Sequence, residues 1–226
     1  MKHLLTILAV LAFAIAAYPQ QTISITGGGS PMGSGAGKQG HIGIGAEVML
    51  EGLLPRFDVI QRATFNREFK DYLPDDLTGW SQRYTTQTRL HFISRKNTSF
   101  FAVPIAANLR HVKYGSAYGY FKQGYNIGFG GGFKHTAKTA SYDVSAVYYL
   151  PDYYKWEFST GKALGNASRG ITLEHNGYFG SRWQWGYMMQ VSHWKSQQPY
   201  DPEPRPLYSS SSIAFGFRFG RKFNQK

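Results

Sequence analysis

Apolar residues at every second position, in one segment after another, constrain this chain more than any other feature. Near the C-terminus Ile213, Phe215, Phe217 and Phe219 alternate with Ala214, Gly216 and Arg218. A period of two places the two sets on opposite faces of a β-strand. The same period recurs over residues 41–50, 56–70, 83–95, 100–113, 125–134, 139–150, 170–179 and 183–195, and no helical stripe interrupts it. The segment 170–179 is the weakest, because His175 shares a face with Ile171 and Leu173. Most of these runs are long enough for a tilted strand to cross a bilayer, which takes about 9–11 residues, whereas soluble strands average about 5–6.

The connections alternate as well. Residues 96–99, 135–138 and 180–182 make tight turns, whereas 71–82, 114–124, 151–169 and 196–208 are long and rich in Pro, Gly, Tyr and Ser. A transmembrane up-and-down barrel has short turns on the periplasmic side and long loops outside, which puts the C-terminal strand's end in the periplasm. The first clear strand then runs inward from outside, so an outward strand precedes it. Residues 21–27 supply it, with the Gly-rich 28–40 as first external loop. The reading is an all-β, antiparallel up-and-down transmembrane barrel of ten strands, or eight if two weak segments lie outside the wall, since such barrels are even-numbered. Pro104 falls inside the fourth clear segment and cannot donate to a ladder, which predicts a β-bulge there.

The N-terminus points to export. Lys2 and His3 precede an apolar run at 4–13 and an Ala14-Ile15-Ala16 cleavage pattern, so residues 1–17 read as a signal peptide and 18–226 as one barrel domain. The apolar run is too short for a membrane-spanning helix. No Cys follows it for lipid attachment, and the chain has none at all. No other long apolar run occurs, so only strands can hold the protein in a membrane.

The net charge of +12 is balanced either by solvent or by anionic head groups such as those of lipopolysaccharide, since export argues against nucleic acid. The 16 Tyr, 16 Phe and 5 Trp suit aromatic girdles at the two membrane interfaces. One face of the strands carries Glu47, Asp58, Arg62, Glu68, Arg89, Arg110, Lys134, Asp143, Glu174 and Arg218. An Arg or Lys on the lipid face near the midplane costs about 2–4 kcal/mol, so this face points inward. Acids and bases balance, which predicts mutual pairing and a plugged or narrow lumen, with Gly43, Gly45, Gly128, Gly130, Gly132 and Gly216 leaving room for long side chains. The fourth segment places Phe101, Val103, Ile105 and Leu109 together on the opposite face. A secreted lipocalin-type barrel would reverse the faces, and the early G-x-W motif of that family is missing.

The Gly-Ile-Gly-Ala-Glu-Val-Met-Leu run at 43–50 and the terminal strand at 213–219 resemble the small outer-membrane barrels of the OmpA- and OmpX-like family. That resemblance implies a location in the bacterial outer membrane and a last strand whose terminal aromatic is read by the barrel assembly machinery. Phe219 and Phe223 are the candidates, although Asn224-Gln225-Lys226 then extends past the family's usual end.

Enzymatic readings are weaker. Outer-membrane lipid A deacylases resemble this chain in size and carry an H-x-S-N motif. Here the sequence reads Ser192-His193-Trp194-Lys195-Ser196, so His193 and Ser196 are candidates for nucleophilic catalysis only in a different order. The other role for His193 is an interfacial residue beside Trp194. Asp75-Asp76 invites comparison with outer-membrane proteases of the aspartyl type, but an acidic pair in a loop is commonly just solvated. The seven His show no metal-ligand spacing, Gly130-Gly131-Gly132 opens no helix, and no cofactor is implied. The expectation is a structural or surface-interaction barrel that binds through external loops bearing Tyr72, Trp80, Tyr118, Tyr120, Tyr153, Tyr154, Trp156 and Tyr200. A lipid-A-modifying hydrolase and a narrow channel are the alternatives.

Overall fold

A computed structural model describes residues 20–30, 34–35, 39–54, 56–70, 79–114, 120–151, 153–158, 161–166, 169–196 and 208–223. The signal segment at 1–17 and Asp75-Asp76 lie outside them. In chain order the strands are β1 (Gln20–Ser30), β2 (Ser34–Gly35), β3 (Gln39–Leu54), β4 (Phe57–Lys70), β5 (Gly79–Arg95), β6 (Thr98–Tyr114) and β7 (Tyr120–Thr136). They continue as β8 (Ala140–Tyr149), β9 (Tyr153–Phe158), β10 (Gly161–Asn166), β11 (Arg169–Phe179), β12 (Trp183–Ser196) and β13 (Tyr208–Phe223).

Ten of these form a closed antiparallel wall in the order β1-β3-β4-β5-β6-β7-β8-β11-β12-β13, with β13 returning to pair β1. The segment at 21–27 is therefore a full wall strand, with Thr22, Ser24 and Thr26 buried and Ile25 exposed. Closure leaves no free edge, which is what lets strands stand in lipid. The alternation translates directly into two environments. Ile42, Ile44, Phe129, Leu173, Trp185, Phe215 and Phe217 are exposed on the outside, while Glu47, Asp143, Asn176 and Arg218 are buried inside.

Two features depart from a plain meander. The stretch expected as a loop at 151–169 contains β9 and β10, and these continue β8 and β11 in unbroken register. Tyr149 faces Gly170 in the wall, and beyond it Tyr153 faces Asn166 and Phe158 faces Gly161. The pair thus forms one hairpin that outruns the barrel, and β9 also pairs the outer end of β7. At the other end the turns are tight. Gly180, at φ 96°, turns the chain between β11 and β12 where a Cβ would lie 2.2 Å from the Trp183 carbonyl oxygen.

The second feature is the bulge at Pro104. The register of β6 against β7 slips between Val103 and Ala106, and the ladder to β5 slips at the matching place. One extra residue reverses the side-chain alternation. Phe101 and Val103 therefore point into the barrel and are buried, whereas Ile105 and Leu109 point out. This corrects the placement of all four on one face. Thr88 of β5 satisfies the irregular backbone: its hydroxyl accepts from the Ile105 N–H at 3.2 Å and donates to the Ile105 carbonyl at 2.9 Å. Thr88→Val keeps the shape and removes both bonds on the lipid-facing side. Its expected effect is a loss of about 1–3 kcal/mol, read from urea-dependent folding into lipid vesicles, with Thr88→Ser close to the parent.

Aromatic pairs ring the wall near the short turns. Phe179 stacks on Trp185 at 4.5 Å, Trp183 stacks on Phe219 at 5.6 Å, and His135 stacks on Tyr142. His175 belongs to this belt. Its ring meets Tyr142 and Tyr187 edge-on, with the Tyr187 hydroxyl 3.3 Å from Nε2. A polar ring on the outward face of β11 is thus an interfacial residue, where amphipathic side chains are at home.

Candidate functional site within the barrel

The inward charges form a chain of contacts across the lumen. Arg62 on β4 donates from Nε to Glu47 on β3 at 2.5 Å and from Nη1 to Glu174 on β11 at 2.8 Å. Arg218 on β13 donates from Nη1 to the other oxygen of Glu47 at 2.7 Å and to the Tyr178 hydroxyl at 2.6 Å. Its Nη2 reaches the Asn176 carbonyl oxygen at 2.7 Å, and Asn176 in turn donates to Asp143 on β8 at 2.9 Å. Arg89 on β5 completes the path with a bond to Asp143 at 3.0 Å. Two guanidinium groups also lie over rings, Arg89 on Phe101 and Arg218 on Tyr178, each 4.5 Å from the centroid.

These groups are packed out of contact with solvent: Arg89, Glu47 and Asp143 are each 1% exposed and Asn176 is 0%. Apolar side chains fill the same level. Phe101, Val103, Ala106, Val147 and Tyr149 form one interior cluster against Trp194, and Met49, Ile60 and Tyr178 form another. An interior with apolar layers is more than alternation alone suggests, and the bulge explains part of it by turning Phe101 and Val103 inward.

Closer to the short turns lies a second polar layer. Glu51 on β3 bonds Lys134 on β7, across the lumen, and Lys222 on β13 at 3.1 Å. Asp58 accepts from the Gly52 N–H at 2.9 Å and sits 2.9 Å from His91 Nε2, while His91 Nδ1 sits 3.0 Å from the Ser99 hydroxyl. This Asp-His-Ser relay ties β4, β5 and β6 together beside Phe101, whose ring is 5.4 Å from the imidazole. Both imidazole nitrogens are engaged and the Asp58 and His91 side chains are each only 11% exposed, so the arrangement serves as a rivet between strands.

The structure thus brings together Glu47, Arg62, Glu174, Arg218, Asp143 and Arg89 in one network, and places Lys134 and Asp58 in the layer beneath it. Arg110 faces inward on β6, directly opposite Arg83. Glu68 lies on β4 with its side chain outside the described residues. Sequence reasoning missed Glu51 and Lys222, which sit at strand ends, and the neutral partners Asn176, Tyr178 and His91. Among the described residues no group of His, Asp or Glu is arranged to hold a metal ion.

His193 and Ser196 are not brought together. His193 lies on the outward face of β12, its Nδ1 2.9 Å from the Ser211 hydroxyl. Three positions along one strand put Ser196 on the other face, and its side chain lies outside the described residues. Nor does His193 share a surface with Trp194, whose ring points inward and stacks on Tyr149 at 5.6 Å. Of the loop aromatics, Trp80 is exposed at the outer rim, stacked on Phe65 at 4.8 Å with the Arg67 guanidinium 5.6 Å above its ring. Tyr72, Tyr118 and Tyr200 lie outside the described residues, as do the side chains of Tyr120, Tyr153, Tyr154 and Trp156.

No family model matches the sequence, and no curated protein matches it. Among solved structures the chain is similar to the outer membrane protease OmpT of Escherichia coli, at 7% identity and TM-score 0.49, over 90% of this chain and 95% of that one. It is similar to the translocator domain of the autotransporter NalP of Neisseria meningitidis, at 6% identity and TM-score 0.49, over 92% and 89%. The beta domain of the Bordetella autotransporter BrkA matches at 13% identity and TM-score 0.42, over 92% and 100%. What assigns the chain is its own wall: a closed ring of antiparallel strands that shows apolar and aromatic side chains outward and encloses paired charges. The chain folds into a closed ten-stranded antiparallel β-barrel, the architecture by which strands span a membrane.

Proposed function

We propose that this barrel is a closed surface protein that acts through its external connections, in the manner of the small OmpA- and OmpX-like barrels it resembles, and is not an open diffusion pore. The observation that carries this reading is the layer of Arg89, Glu47, Asp143 and Asn176, which fills the lumen at one level and leaves those side chains almost fully buried. A solute crossing there must first break several charge-assisted hydrogen bonds in a low-dielectric interior. Above the wall, the β8–β9 and β10–β11 hairpin provides a platform held in register by backbone pairing, the kind of rigid support on which binding segments work.

The outer rim also suits an anionic lipid surface. Arg169 and Lys195 face each other directly in the β11–β12 ladder and are both exposed, one step beyond the outward Ile171 and His193. Like charges placed opposite each other are unfavourable unless an anion lies between them. The phosphates of lipopolysaccharide carry the charge that would settle between them, and insertion by the barrel assembly machinery is the expected route to that position.

Planar-bilayer recording tests the central claim. The purified, folded protein is expected to show no steady ion conductance over a range of voltages. A stable ohmic conductance in the parent protein would overturn the closed-barrel reading in favour of a narrow channel.

A further inference from the structure

We propose that the short-turn end of the barrel is a fixed ring of cations that binds the anionic phospholipid head groups of the leaflet on that side. The four short connections read Pro55-Arg56, Lys96-Asn97, Ala137-Lys138-Thr139 and Gly180-Ser181-Arg182. Each carries one base and no acid. Arg56, Lys96, Lys138 and Arg182 are all exposed, as is Arg95 at the end of β5. Turn geometry does not explain the choice. Arg56 at φ 68° and Lys96 at φ 49° occupy left-handed backbone, which favours Gly or Asn.

Among the described residues no carboxylate is left to neutralise these cations. Asp58 is held by His91 and the Gly52 N–H, and Glu51 by Lys134 and Lys222. Glu47, Asp143 and Glu174 belong to the network in the lumen. Every other acid falls at positions 68–76, 152–157 or 201–203, in or beside the long connections. The cations are also held in place by backbone hydrogen bonds that tie each turn to a neighbouring strand or turn. The Arg56 carbonyl accepts from the His91 N–H at 2.8 Å and that of Asn97 from Thr136 at 2.7 Å. The Thr139 carbonyl accepts from Gly180 at 2.8 Å and that of Arg182 from Lys222 at 2.9 Å. Their level is set by the aromatic belt. Arg182 directly precedes Trp183, whose ring stacks on Phe219 with the Arg221 guanidinium 5.5 Å from its centroid. Such belts mark the head-group region, where each cation near an anionic surface is worth about a fivefold gain in association. Neighbouring turns stand two strands apart, about 10 Å. One small anion cannot bridge them, whereas a leaflet of head groups meets every one.

The ring rests on the wall standing in lipid and is independent of whether the lumen conducts. Electron paramagnetic resonance of the full barrel in phosphatidylcholine vesicles, with a trace of spin-labelled phosphatidylglycerol or spin-labelled phosphatidylcholine, tests it. The label beside the protein is motionally restricted, and phosphatidylglycerol is expected to be enriched there by about twofold or more, averaged over the whole annulus. Salt at 1 M, where the screening length is about 3 Å, is expected to bring the two lipids close to parity. The combined variant Arg56→Gln, Lys96→Gln, Lys138→Gln and Arg182→Gln is expected to lose most of the preference. Arg169→Gln with Lys195→Gln, at the opposite rim, is expected to keep most of it. Heat-modifiability on gels shows which variants are folded, and Lys96→Gln with Lys138→Gln, a milder change, is expected to lose about half. Equal restriction of the two lipids by the parent, or a preference that survives the fourfold variant, overturns the proposal. Turn-dependent binding of polyglutamate by the detergent-solubilised barrel, without any lipid preference, would assign the ring to an acidic protein and equally overturn it. Exclusion of the folded protein from vesicles would overturn the lipid-facing wall together with the ring, while entry without preference removes the ring alone.

Discussion

Glu47→Ala is expected to destabilise the barrel by about 3–5 kcal/mol, measured as the shift in urea-dependent folding into lipid vesicles. Glu47 is the hinge of the network, accepting from Arg62 at one oxygen and Arg218 at the other. Removing it leaves two buried guanidinium groups facing each other, with Glu174 the remaining carboxylate partner of Arg62 and neutral groups the remaining partners of Arg218. The desolvation of a buried cation is then no longer offset, which is why breaking such a pair costs more than the pair itself contributes. The contrast that tests the mechanism is a double variant, Glu47→Leu with Arg218→Met, which removes both members of one pair. It is expected to be markedly more stable than Glu47→Ala, because an apolar replacement of an ion pair is frequently neutral. If the double variant loses as much as the single one or more, packing and not charge pairing holds this level of the lumen.

Phe217→Arg probes the opposite face and is expected to cost about 2–4 kcal/mol, the penalty for a cation near the bilayer midplane. Phe217 sits centrally in the outward row of β13, 65% exposed, paired with Gly27 on one side and Tyr187 on the other. Phe217→Leu is the control, with an expected loss below about 1.5 kcal/mol. In a soluble barrel of the same shape an outward Arg would be harmless or stabilising. An Arg substitution as mild as the Leu one would therefore argue that this row does not meet lipid.

How much of this was legible depends on whether a feature is local. The outward row from Ile213 to Phe219 and the inward row with Glu47 follow from a period of two, and the wall strands lie where that period runs. Pro104 announced its own bulge, because a residue without an N–H has few places in a closed ladder. What the bulge does to its neighbours was not legible. The faces of Phe101 and Val103 depend on which partner residues skip, and that is fixed by β5 and β7. The cross-lumen pairs are less local still. Arg62 meets Glu174 from five wall strands later only because the stagger of the closed ring brings them to one height, and stagger leaves no mark on a single segment. Glu51 escaped notice for the opposite reason: it stands next to Gly52, just past the end of the alternating stretch, where the pattern no longer says which way a side chain points. Asn176 and Tyr178 are neutral and carry no signal of the ionic network they complete.

The seam between the first and last strands has a kinetic meaning. Ser30 donates to the Ile213 carbonyl across 183 positions of sequence, and every rung between β1 and β13 closes a loop of similar size. Neighbouring strands can pair early as hairpins, but the ring cannot close until the two ends of the chain meet. Contacts this distant in sequence form slowly, because their loop entropy is lost before they return anything. Until then the outward rows of Ile, Phe and Trp belong to an open sheet. Shortening the chain by the final strand would yield an open sheet with two reactive edges, the kind of species that aggregates or is degraded.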